Sequence, residues 1–215
     1  VLALTAVRAS LLFIPPDRAG VVVSLMADRG YFEKPLASGL HWILPLVDHV
    51  VQYPISWQTY TMSNSPDEGA QLGDDSIRAR TSDGQEVRLD CSVIFRIDVE
   101  QAVLIHTDWQ DRYIEEFVRP VIRGLVRTQV SQFKVNEVNS SARKDLEAAL
   151  TNLLQAEFGD KGLLLDQFLL RDITFSPEYA ASIEQKQIAL EGQQQTEYEA
   201  EQIRNLALGR ADAIE

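Results

Sequence analysis

Three histidines, one cysteine and a row of arginines are the side chains best placed to do chemistry, and their spacing limits what that chemistry can be. His41, His49 and His106 fall in different elements, with no HExxH pair or other metal-ligand spacing, so they read as structural polar contacts. Cys91 is the single cysteine, which excludes an intrachain disulfide and a thiolate metal cluster. It lies on the apolar face of a strand, where a thiol without a basic neighbour is inert. The glycines form neither GxGxxG nor a phosphate loop, no GxSxG elbow occurs, and no pair of carboxylates is singled out. The reading is of a protein that is not an enzyme, with no catalytic residue, no cofactor and no metal.

The arginines suggest binding. Arg112, Arg119, Arg123 and Arg127 recur at helical spacing on one flank of a helix. Two readings follow: Arg119, Arg123 and Arg127 face acidic groups of a neighbouring copy, or the row is a solvated face partly neutralised by Glu115. A net charge of −12 argues against nucleic acid, whose binding needs clustered Lys and Arg to release counterions. It argues equally against broad adhesion to anionic headgroups.

The elements that must position these residues begin with the last 38, residues 178–215. They follow Ser176-Pro177, a helix start, and contain no proline. As one helix they reach roughly 57 Å. Eight Asp or Glu stand against three Lys or Arg, and Tyr198 is the only large apolar side chain from 191 to 202. A helix polar nearly all round cannot bury itself on its own domain, so neighbouring copies are expected to flank it. Ile203, Leu206, Arg210 and Ile214 resume a narrow stripe at three- and four-residue steps, the pattern of a helix–helix seam. With Ile183 and Tyr198 they are the expected contacts between copies.

Upstream, the residues predict strands first and helices second. Residues 20–26 read as a buried strand, residues 47–62 as two β-rich runs separated at Pro54, and Asp83-Gly84 as a type I′ hairpin turn. Residues 63–76 form a polar loop with no assignable chemistry. Val87, Leu89, Cys91, Val93, Phe95 and Ile97 alternate with Arg88, Asp90, Ser92, Arg96 and Asp98, a strand with one face on a core. Residues 111–133 carry a helical stripe that includes Phe117, Val118, Ile122, Val126 and Val130, with Pro120 kinking or restarting it. Residues 135–158 predict one further helix with Leu146, Ala149, Leu150, Leu153 and Leu154 inward, residues 163–175 a strand. The order is that of an α+β domain followed by an extended helix.

Residues 1–14 hold eleven apolar side chains but are too few to span a bilayer, which takes about twenty. They read either as the exit end of a membrane anchor, with Leu11, Leu12, Phe13 and Ile14 membrane-proximal, or as a buried first strand. Trp42, Ile43 and Leu44, within residues 40–47, likewise read as a loop dipping into the membrane interface or as core packing. With no initiator Met and an end inside a helical pattern, the chain is expected to be a segment of a longer protein.

Six motifs, in order, resemble the SPFH (band 7) family of stomatins, prohibitins and flotillins, most closely its prohibitin-like branch. They are Pro15-Pro-Asp-Arg-Ala-Gly20, Ser38-Gly-Leu-His-Trp-Ile-Leu-Pro45 (where the family usually has Pro-Gly-Leu-His), Thr81-Ser-Asp-Gly-Gln-Glu-Val87, Ile94-Phe-Arg-Ile-Asp98, Arg119-Pro-Val-Ile-Arg-Gly-Leu-Val-Arg127, and Leu170-Arg-Asp-Ile-Thr-Phe-Ser-Pro-Glu-Tyr179 running into Ile183-Glu-Gln-Lys-Gln-Ile-Ala189. The resemblance implies an SPFH domain over residues 15–176, of two small α+β subdomains at about 15–80 and 81–176. A long helix over 177–215, the start of a coiled coil, follows. It also implies a non-enzymatic membrane scaffold with a single N-terminal anchor in a bacterial plasma membrane or an organellar inner membrane. Its partners would be membrane lipid, further copies or a paralogue in a ring or cage that organises a membrane microdomain, and membrane-anchored AAA+ proteases. The rival reading is a soluble adaptor whose helix docks on a partner protein.

Overall fold

The structure, a computed structural model, describes residues 10–65, 67–138, 140 and 142–212, with side chains of the last helix described as far as residue 204. It divides into two compact units, residues 1–174 and 175–215.

The first unit opens with two antiparallel pairs. Strand β1 (Leu11–Ile14) pairs with β3 (Gly39–Trp42), placing Leu11 opposite Trp42 and Phe13 opposite Leu40. Strand β2 (Arg18–Ser24) pairs with β4 (Asp48–Pro54). The loop between β2 and β3 folds back along β2, with reciprocal Gly20–Leu36 backbone bonds of 2.9 and 2.7 Å, so that edge is not left open. Gly20 is required there, because a Cβ would come within 2.6 Å of Ile14 Cδ1 and 2.9 Å of Val50 Cγ1.

Strands β5 (Gln58–Met62) and β6 (Ile77–Arg80) both pair with the long central β7 (Glu86–Ile97), and β8 (Leu163–Phe175) joins the same sheet. The expected division at residue 80 therefore does not follow the sheets. They change between Pro54 and Gln58, since β5 and β6 bond to β7, beyond that boundary. The alternating face of β7 is core as expected, with Val87, Leu89, Cys91, Val93, Phe95 and Ile97 all buried. The turn before it differs from expectation. A type I′ turn needs positive φ at both central residues, and only Gly84 (φ 82°) has it. The loop closes instead by Thr81 N–H to the Gln85 carbonyl (3.0 Å), while the Asp83 carboxylate accepts from the Thr81 hydroxyl and the Val135 N–H.

Helices α1 (Ala102–Asp108), α2 (Arg119–Val130), α3 (Val135–Val138) and α4 (Arg143–Gly159) complete the unit. A π-helical turn, Ile114–Val118, runs directly into α2, and Pro120 sits in the first turn of α2, where the helix changes register instead of ending. The single helix expected over 135–158 is two. The Ser140 hydroxyl donates to the Asn136 carbonyl (2.6 Å), a local bond that competes with helical continuation. Inward positions on α4 follow a strict four-residue step, Leu146, Leu150, Leu154 and Phe158, and Leu153 faces solvent. Phe158 meets Phe95 edge-on (5.9 Å) and Phe117 (5.7 Å), joining sheet, π-turn and α4 in one aromatic cluster.

The second unit is a single helix, α5 (Pro177–Asp212). The Ser176 hydroxyl caps it, accepting from Tyr179 N–H at 3.3 Å.

Candidate membrane and assembly surfaces

Strand pairing brings the expected membrane-proximal residues together. Side chains two apart on a strand share a face, so Leu11 and Phe13 on β1 stand beside their cross-strand partners Trp42 and Leu40 on β3. All four face solvent, Phe13 at 62% and Trp42 at 63% exposure. The core alternative for Trp42 is overturned, because nothing in the described chain covers that face of the ribbon. Ile14 is the correction in the other direction: it is fully buried against Gly20. Leu12 and Ile43 are half-buried, and Leu44 is exposed. The His41 ring nitrogen Nε2 lies 2.6 Å from the Ala37 carbonyl, the structural contact expected of it.

The ribbon leads into the loop expected within residues 40–47, and beside it lie Leu25 and Met26, read as the end of a buried strand but placed past the end of β2 at Ser24. Leu46 is 93% exposed, and Leu25 and Met26 are likewise open. The Leu25 N–H donates to the Val47 carbonyl (3.1 Å), so the β2–β3 and β3–β4 loops lie side by side. Apolar tips on adjacent loops next to an apolar ribbon form an exposed surface of the kind that marks interaction with lipid or protein. Among the described residues no helix is long and apolar enough to cross a membrane.

The arginine row does not behave as expected. Arg119 and Arg123 both donate to Asp75 Oδ1, and Arg123 also donates to the Asp75 carbonyl (2.8 Å). Asp75 is only 3% exposed. Two of the three arginines expected at an interface thus hold the polar loop 63–76 of their own chain. Burial, with the Asp75 and Glu115 carboxylates adding, pushes the adjacent Tyr60 hydroxyl up to about 12, against the lowering effect of both arginines. The bond to Asp75 raises Arg119 above its ordinary value. Arg127 is different: it is exposed, its Nε donates to the Arg78 carbonyl (3.1 Å), and it makes no ion pair among the described residues.

On α5 every residue from 180 to 204 is exposed. At 100° per residue, Tyr179, Ile183 and Leu190 fall along one side, Ile188 and Ile203 along the opposite side, and Tyr198 between the two. Apolar residues on two opposed lines are what a helix with a neighbour on each side needs. Leu206 and Arg210 lie on α5 with side chains outside the described set, and Ile214 lies outside the described residues.

Two titratable sites remain. Cys91 is buried, and desolvation pushes its thiol up to about 12, which leaves no thiolate for chemistry. The Tyr53 hydroxyl bonds His106 Nδ1 at 2.6 Å, tying β4 to α1; burial, then His49, lowers His106.

The family model for the SPFH domain / Band 7 family matches residues 12–204. The chain is 24% identical over 168 residues to Prohibitin-2 of Schizosaccharomyces pombe, covering 77% of this chain and 53% of the relative. It is 26% identical over 176 residues to Prohibitin-2 of Saccharomyces cerevisiae, covering 82% and 52%. To mitochondrial Prohibitin-3 of Arabidopsis thaliana it is 21% identical over 213 residues, covering 98% and 71%. The chain spans about half the length of the first two of these relatives. The buried alternation of β7 and the Ser176 cap fall within the matched residues, and the chain belongs to the SPFH domain / Band 7 family, in its prohibitin-like part.

Proposed function

We propose that this chain is a subunit of a non-catalytic membrane scaffold, in which many copies stand side by side in a ring or cage. The observation that carries the proposal is α5, exposed on all sides over residues 180–204 with apolar residues on two opposed lines. A lone helix so built gains little from packing, and Gly192 in its interior costs about 1 kcal/mol more than alanine would. Ile183, Tyr198 and Ile203 are the contacts we assign to its flanking copies, with Leu206, Arg210 and Ile214 continuing them.

The exposed ribbon and loop tips seat the first unit on the bilayer. Leu11, Phe13, Trp42 and Leu44 enter the interface, and tryptophan favours that depth. Relatives named Prohibitin-1 and Prohibitin-2 both match, which supports assembly with a paralogue as well as with itself. Relatives named as mitochondrial support an organellar membrane. A wall of such subunits encloses a membrane patch and regulates the membrane proteins inside it, AAA+ proteases among them. Solubilising native membranes and sizing the full-length protein tests this reading. Large, closed particles that float with lipid support it, and monomers that stay at the bottom of the gradient refute it in favour of a soluble adaptor.

A further inference from the structure

Arg78 and Arg80 on β6 point away from the buried Ile77 and Ala79. Arg127 reaches them from α2 through its bond to the Arg78 carbonyl. Together with Ala79, Glu86 and Ser131 they line a shallow hollow on the surface. Three arginines against one lining carboxylate, Glu86, on a chain of net charge −12 are a local reversal of sign. Across the β6–β7 ladder Arg78 stands directly opposite Arg88, a like-charge placement that costs stability, and Arg80 stands opposite Glu86. Asp74 pairs with Arg78 at 3.1 Å, but Arg80 and Arg127 make no ion pair among the described residues.

We propose that this hollow receives Glu197 and Glu201 of α5 from a second copy of the chain. The proposal rests on the side-by-side reading and gives that reading a specific contact. The fit is geometric as well as electrostatic. Glu197 and Glu201 are one turn apart, about 6 Å along the helix axis. Arg78 and Arg80 are two residues apart on a strand, about 6.7 Å. Glu199 is held by Gln195 (3.1 Å), while Glu197 and Glu201 have no side-chain partner among the described residues. The hollow on one copy and the carboxylates on another are different patches. The contact is therefore heterologous, the kind that propagates around a ring until it closes.

Charge reversal tests it on the full-length protein in solubilised membrane, sized by mass photometry, with thermal melts to confirm that each variant folds. Arg80→Glu with Arg127→Glu gives a chain with an acidic hollow and an acidic helix. Glu197→Arg with Glu201→Arg gives a basic hollow and a basic helix. Each alone is expected to lose the large particle, and a one-to-one mixture to regain it, because every contact in an alternating ring then pairs opposite charges. The milder Arg80→Gln with Arg127→Gln is expected to raise the dissociation concentration about tenfold, and less so in high salt. Variants that keep the wild-type particle size, or a mixture that does not restore it, overturn the inference. So does an arginine reversal that weakens only flotation on phosphatidylserine vesicles, which would make the hollow a lipid headgroup site. A wild-type protein that never forms large particles refutes instead the side-by-side reading beneath it.

Discussion

Replacing Phe13 and Trp42 together by serine removes the two largest side chains of the exposed ribbon without opening the core. Aromatic side chains bury about 150–250 Å² each, so with Phe13 62% and Trp42 63% exposed, roughly 100–150 Å² of each remains open. If half of that area enters lipid, at about 25 cal/mol/Å² the pair contributes about 3 kcal/mol. That corresponds to about a 100-fold fall in the partition coefficient. The assay is co-sedimentation of the 215-residue chain with neutral phosphatidylcholine vesicles, chosen because the net charge of −12 disfavours an anionic surface. Both side chains already face water, so the melting temperature should hold. Unchanged partitioning of a folded Phe13→Ser, Trp42→Ser variant would refute the assignment of this face to the membrane.

Three further outcomes follow. Asp75→Ala leaves Arg119 and Arg123 without their carboxylate and should cost about 3 kcal/mol, the lower end for breaking a buried pair. That is a fall of roughly 6–12 °C in the thermal midpoint of a chain this size. Cys91, buried and with its thiol raised to about 12, should react with a thiol reagent only as fast as the chain opens, so mild denaturant should speed labelling. His106 is lowered from 6.5 by burial and by His49, so the unfolded chain takes up the proton first. Stability should therefore fall as pH drops below about 6.5 and level off below the folded value. His106→Gln should flatten that part of the urea-midpoint profile.

The parts of the fold legible in the residues were those with a period or a fixed stereochemical cue. The alternation in β7 identified its buried face residue by residue, and Ser176-Pro177 marked the start of α5, because capping is a local property. What could not be read depended on distant pairing. Arg119 and Arg123 looked like a free row, since their partner Asp75 lies 44 and 48 residues away in a loop without pattern. The outward face of Trp42 had no signal either: the run from Leu40 is apolar on both sides of the strand, and only its pairing with Leu11 shows which side is open. Leu25 and Met26 continue the apolar run of β2 and read as core until the strand ends at Ser24 and the Leu25–Val47 bond lays them beside the 40–47 loop. The Arg78, Arg80 and Arg127 hollow needed α2 to be laid against β6, which no helical spacing encodes.

Cryo-electron microscopy of the full-length protein in its native membrane tests the side-by-side scaffold most directly. The expected image is a closed ring or cage, with α5 helices flanked on both sides by copies and the β1–β3 ribbon at the bilayer surface. Isolated monomers or dimers with an intact, unaccompanied α5 would contradict it.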